Sequence, residues 1–222
     1  AVNRVEGISR IRLGSLEPRI ITEEFLEGIV KTGKVCPHFH LSLQSGCNKT
    51  LKNMNRRYSA QEYAEKCELI RKFYPAPALT TDVIVGFPME TEEDFQQLLD
   101  FVRWARFERM GAFMYSEEEG TYGANHYADD VPEDVKQRRL DELMAVQQEI
   151  SAEIEAAKIG STMKVIIDRK ENDYYIGRSE FCSPEVDPEI LIQGGQQSVQ
   201  IGSFYQVKIT DAEEFDLYGE IV

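Results

Sequence analysis

Four places in the sequence set polar side chains where a run of strand-like residues gives way to a turn. Ser15 and Glu17 follow residues 8–13, Gln44 and Ser45 follow 38–43, Gly86 closes 79–85, and Tyr115 and Ser116 close 109–115. Hydroxyls, an amide and open turn backbone fix the orientation of a small polar ligand, and a ligand with an adenine or ribose part suits such a set. The same residue types also satisfy turns on their own. His38 and His40 face one side of a single strand, but no acid or thiol stands nearby in sequence to complete a metal site, and none is assigned. Cys36, Cys47, Cys67 and Cys182 contain no Cys-x-x-Cys pair and read as buried reduced thiols. Glu117, Glu118 and Glu119 read as a solvated loop. No residue is assigned a catalytic role.

These turns need a frame that brings them together. Residues 79–85 are mostly apolar and rich in β-branched side chains, the pattern of a buried strand. Residues 86–89 break the run. Thr91 then caps a helix over 92–105, with Glu92, Glu93 and Asp94 in the first turn, where the helix dipole favours acids. Phe95, Leu98, Leu99 and Val102 form its apolar stripe. Residues 8–13, 38–43 and 109–115 are further strands, the first ended by 14–18. Thr22 caps a helix over 22–31 and Ser59 one through 73, which Pro75 and Pro77 break. Strand followed by helix, repeated, gives a parallel sheet with right-handed crossovers, either a barrel segment or an open sheet. Its turns then share one rim, where α/β folds place ligands.

The pattern changes near Pro132. Residues 132–158 read as one long charged helix whose inner face is Val135, Leu140, Leu143, Met144, Gln147, Ile150 and Ile154. After Gly160 it is all β, with strands at 162–167, 174–181, 189–192, 204–212 and 215–222 and turns at Glu171-Asn172-Asp173 and Gly194-Gly195. Five short strands at this spacing suit a small barrel of the oligonucleotide-binding type. The expected divisions are 1–130, 131–159 and 160–222.

The formal net charge is -14 and the isoelectric point about 4.7, which opposes unaided binding to a phosphate backbone. Residues 162–222 hold five basic and twelve acidic side chains, a balance of -7 that steers toward a basic polypeptide. No apolar run approaches the ~18 residues of a membrane span and the first residues do not resemble a signal peptide, so a cytoplasmic location without a membrane partner is expected.

Taken together, Arg12-Leu13-Gly14-Ser15-Leu16-Glu17-Pro18, His40-Leu41-Ser42-Leu43-Gln44-Ser45-Gly46, the stretch from Thr81 to Thr91 and Tyr115-Ser116-Glu117-Glu118-Glu119-Gly120-Thr121 resemble the radical S-adenosylmethionine methylthiotransferase family. The resemblance covers nearly the whole chain. It implies an α/β fold, a partial radical-SAM (βα) barrel, followed by a small all-β, OB-like TRAM domain that binds the substrate. It also implies S-adenosylmethionine, with two 4Fe-4S clusters in the full-length enzyme. The cofactor-binding positions it implies are Ser15, Gln44, Ser45, Ile84 and Tyr115. The first half is more similar to the tRNA branch that modifies threonylcarbamoyl-adenosine. The second half, including Gly177-Arg178-Ser179-Glu180 and Ser183-Pro184-Glu185-Val186-Asp187, resembles the branch that methylthiolates an aspartate of ribosomal small-subunit protein twelve. The implied partner is therefore that basic protein, through the acidic TRAM domain, with tRNA as the alternative client. A non-catalytic docking role is the reading from a different class.

Two departures stand out. The family's Cys-x-x-x-Cys-x-x-Cys, whose thiolates hold the catalytic cluster, does not occur, nor do the amino-terminal domain and its cysteines. The chain is expected to be a fragment, inactive alone. Met89 stands where the family usually has glycine; if the loop needs positive φ there, Met carries a conformational cost.

Overall fold

A computed structural model describes residues 1–184, 187–193 and 198–222. The turn expected at Gly194-Gly195, and Glu185 and Val186 of the second-half motif, lie outside the described residues. The chain divides into two compact units, one of residues 13–33 and 39–148, the other of residues 1–12, 34–38 and 149–222.

Strands β1 (Ile11–Leu16), β2 (Val35–Leu41), β3 (Ala78–Val85) and β4 (Arg109–Met114) make one sheet in the order β1-β2-β3-β4. β3 and β4 run parallel, from Thr80 opposite Arg109 to Val85 opposite Met114. Gln44 bridges Val83 in the same sense. β1 continues through Gly14 and Ser15, where the sequence suggests a stop. Its ladder reaches Leu16, whose carbonyl accepts from Ser42 N at 3.2 Å. The chain leaves it at Pro18, which has no N–H to donate and opens a short 3₁₀ turn.

The intervening helices are α1 (Glu23–Val30), α2 (Asn48–Asn53), α3 (Ala60–Phe73), α4 (Glu92–Ala105), α5 (Tyr122–His126) and α6 (Glu133–Ala156). The expected caps are made. Thr22 accepts from Phe25 N, and Ser59 with Glu62 and Thr91 with Asp94 form reciprocal capping boxes. The two shortest helices, α2 and α5, have too few turns to show a period and are not legible in the sequence. Phe39, Leu41, Leu43, Tyr63, Ile70, Val83, Val85, Phe95, Leu98, Leu99, Val102 and Phe107 are buried. At ~2 kcal/mol for each large apolar side chain removed from water, this burial dominates the unit's stability.

The buried face of α6 differs from the apolar stripe expected. It consists of Lys136, Arg139, Leu143, Gln147, Ile150, Ser151 and Glu155, while Val135, Leu140, Met144 and Ile154 are only half-buried. Polar side chains occupy it because each finds a partner. Lys136 Nζ lies 2.6 Å from Asp129, Arg139 Nη1 2.9 Å from Glu90 and Gln147 Nε2 2.9 Å from the Phe107 carbonyl.

In the other unit, β5 (Thr162–Glu171), β6 (Tyr174–Arg178), β7 (Ile190–Gln193), β8 (Phe204–Ala212) and β9 (Leu217–Ile221) close a barrel in the order β5-β6-β7-β9-β8. Only the β7–β9 pairing is parallel. Val165, Ile167, Ile190, Ile192, Val207, Ile209 and Leu217 fill it. Gly177 and Gly219 allow the closure: a Cβ at either would lie 2.6 Å from a neighbouring strand. Within this unit Arg10 donates to the carbonyls of Lys164 and Arg178, and Arg12 to those of Ser179 and Glu180.

Candidate functional site

The carboxyl ends of β3 and β4 border a cavity of about 550 Å³. Asp82, Ile84, Phe113 and Met114 line it from the sheet. Gln44, Phe87, Tyr115 and Ser116 line it from the turns that follow, and Met54, Arg56, Glu118, Thr121 and Tyr122 from the segments around α2 and α5. Of the sequence-expected positions, Gln44, Ile84 and Tyr115 meet here. Ser15 is exposed on β1 and is not part of the lining. Ser45 is fully buried, its hydroxyl accepting from Cys47 N at 3.2 Å, the turn-satisfying use.

Backbone contacts fix the lining. Gln44 sits at φ 70, its N–H donating to the Asp82 carbonyl and its own carbonyl accepting from Ile84 N, at 3.0 and 2.9 Å. Tyr115 N–H donates to the Val85 carbonyl at 2.9 Å, and its ring meets Phe87 edge-on at 5.0 Å. Lys136 Nζ donates to the Tyr115 carbonyl at 3.2 Å and lies 5.5 Å from the ring centre. The Tyr115 hydroxyl is buried with no partner among the described residues. Burial first, then Glu117 and Asp129, raise its pKa.

The loop after β3 is built in both its glycine and its departure from glycine. Gly86 has φ +71, and a Cβ there would stand 2.3 Å from Lys136 Cγ, so conformation and space both require glycine. Met89 takes φ 67 as a non-glycine residue. Its N–H donates to Asp130 at 2.8 Å, and its carbonyl accepts from Lys49 at 3.1 Å, which hold the strained conformation. Buried Glu90 accepts from Gly86 N at 2.8 Å and from Arg139 at 2.9 Å. Burial is the strongest influence on Glu90 and raises its pKa. Asp94 goes the other way. Burial opposes its charge, but hydrogen bonds from Lys49, Thr91 and Cys47 prevail and hold it at about 2.

On the strand face His40 stands between Thr80 Oγ1, 3.1 Å from Nδ1, and Asp82, 3.4 Å from Nε2. Gly111 lies opposite Asp82 in the register, and a Cβ there would be 2.4 Å from the Asp82 carboxylate. In the other unit His38 Nε2 lies 3.3 Å from Asp187. Both histidines have acids from distant sequence, to different ends. Among the described residues no three metal-capable side chains converge. All four cysteines are buried and none forms a disulfide among the described residues, and burial pushes Cys67 up to about 12. The cavity lining includes the Tyr115 phenol, without a partner among the described residues, the Gln44 amide and the apolar Ile84. Sequence reasoning passed over Asp82, Arg56 and Tyr122. A charged residue inside a buried strand was the available signal for the first.

Residues 4–102 match the Radical SAM superfamily, and residues 159–222 match the TRAM domain. The fold agrees. Coproporphyrinogen III oxidase (HemN) from Escherichia coli, a Radical SAM enzyme, superposes with a TM-score of 0.53 at 16% identity, over 77% of this chain and 46% of that one. Fold and sequence thus define a Radical SAM segment followed by a TRAM domain. Over its whole length the chain is similar to ribosomal protein uS12 methylthiotransferase RimO. It is 50% identical over 221 residues to that of Bacteroides thetaiotaomicron, which covers 100% of this chain and 51% of that protein. It is 46% identical over 220 residues to that of Porphyromonas gingivalis, 98% of this chain and 50% of that protein. The chain spans about half the length of the curated relatives it matches. The similarity to these relatives extends over both the Radical SAM and the TRAM parts of the chain.

Proposed function

We propose that the chain is the cofactor-rim and substrate-handling part of a radical SAM methylthiotransferase that inserts a methylthio group into an aspartate of ribosomal protein uS12. The observation that carries this is the identity, 50% over 221 residues, with a relative of that name. The division 1–130, 131–159 and 160–222 would be barrel part, connecting helix and TRAM domain, and the reading places the chain in the cytoplasm, with the ribosomes.

When bound, S-adenosylmethionine supplies a radical able to take hydrogen from an unactivated carbon. The chain's own share is to bind and orient. Ile84 and Phe87 offer apolar surface to an adenine, and the Gln44 amide and the unpaired Tyr115 hydroxyl offer hydrogen bonds to it and the ribose. Ser15 and Ser45 keep the weaker part of the proposal, since neither lines the cavity. Cys36, Cys47, Cys67 and Cys182 supply none of the cluster's thiolates. Iron and sulfide added to these 222 residues should therefore yield no site-differentiated four-iron spin signal.

The acidic barrel would dock the basic client: twelve acids against five bases across 162–222 attract a cationic protein and repel phosphates. Binding of isolated uS12 and of tRNA, each at low and high salt, tests this. Tight uS12 binding that weakens with salt is expected, with little tRNA bound. Tight tRNA binding with a steep salt slope would reverse the choice of client.

A further inference from the structure

Part of the cavity wall is not used by the cofactor reading. Glu118 and Tyr122 line it from the segment after β4, and Phe113 from the sheet. Phe113 and Tyr122 are 57% and 56% exposed, large aromatic side chains of the kind that soluble proteins keep at binding surfaces. Tyr122 is held in place. Its ring stacks on His126 at 3.9 Å and 14°, and its carbonyl lies 2.9 Å from His126 Nδ1. The Glu118 carbonyl accepts from Thr121 Oγ1 and N at 2.8 and 3.2 Å, fixing the residue by its backbone. Its carboxylate makes no ion pair among the described residues.

Asp82 adds a second carboxylate, 45% exposed, for which Gly111 leaves room. Among the described residues the one basic side chain in the lining, Arg56, already lies 3.4 Å from Glu17. Glu118, with Asp82 beside His40, and two half-exposed aromatic rings, Tyr122 by the face that His126 does not cover, bind a cation by charge and by the ring quadrupole together. The same wall repels phosphate. We propose that Glu118, Tyr122 and Phe113 receive a lysine or arginine side chain of the polypeptide substrate, close to the cofactor rim and separate from the barrel's general acidity. This rests on the reading that the substrate is a basic ribosomal protein.

The test titrates the full chain with isolated uS12, and separately with a blocked lysine tripeptide followed by NMR. Wild type is compared with Glu118→Gln, Tyr122→Ala and Tyr122→Phe. The expected result is that Glu118→Gln and Tyr122→Ala each weaken uS12 binding about tenfold, as the loss of one cation contact of ~1.4 kcal/mol gives, while Tyr122→Phe binds as wild type. The tripeptide should shift the signals of Tyr122, Gly123 and Glu118. If wild type binds uS12 and both variants bind equally well, the inference is wrong and the proposed client stands. If wild type does not bind uS12, the proposed client is wrong, and the tripeptide decides the wall alone: shifts at those residues keep it, and no shifts remove it.

Discussion

Gly86 and Cys67 show how single positions carry separable consequences. Gly86→Ala must place a Cβ against the Lys136 stem at a φ that L-residues adopt at a cost of ~1–2 kcal/mol, before the steric overlap is counted. Urea denaturation should show a loss of at least about 2 kcal/mol, with Lys136→Ala relieving part of it. Cys67, fully buried with its thiol at about 12, should resist aromatic disulfide reagents in the native protein and react only on unfolding. Tyr58 is also pushed up to about 12, by burial first. Both groups keep their protons longer folded than unfolded. Their contribution to stability is full below the unfolded values, 9.0 and 10.0, and is lost as pH rises toward 12. The unfolding midpoint should therefore fall from about pH 9 upward.

At the level of elements, the loop between β3 and α4 is held by side chains that arrive from elsewhere in the chain. Arg139 reaches Glu90 from α6, with 4% and 1% of the two side chains exposed. Arg139→Met leaves Glu90 buried without its cation and should cost ~3–5 kcal/mol by chemical denaturation, whereas Arg138→Met, at an exposed pair, should cost under about 1 kcal/mol. Asp94 anchors the start of α4. Its folded pKa lies below its ordinary value of 3.8, so its stabilisation is present above pH ~4 and is lost as pH falls toward 2. Asp94→Asn should remove that slope from an acid titration of stability. These elements also mark what the sequence made legible. Helix caps at Thr22, Ser59 and Thr91 were readable because a cap involves residues only three apart. Lys136 and Arg139 on the buried face of α6 were not, because an apolar-period argument has no term for partners seven or 49 residues away. Gly111 opposite Asp82 was hidden for the same reason: the requirement appears only once two strands are in register.

Over the whole molecule, motif order and the strand spacing after Gly160 gave the Radical SAM segment and the TRAM domain, since both are repeated local patterns. Strand-end turns pointed to the rim. Which of their residues line the cavity depended on chain direction at each turn, and that separates Gln44 from its neighbour Ser45. The central claim is that these 222 residues determine which macromolecule is modified. Its most direct measurement exchanges them for the matching half of the Bacteroides thetaiotaomicron RimO, loads the hybrid with iron and sulfide, supplies S-adenosylmethionine and a low-potential reductant such as dithionite, and weighs uS12 and tRNA by mass spectrometry after reaction. The account predicts uS12 heavier by one methylthio group and tRNA unchanged. A folded, cluster-loaded hybrid that leaves uS12 unmodified, or that modifies tRNA instead, would contradict it.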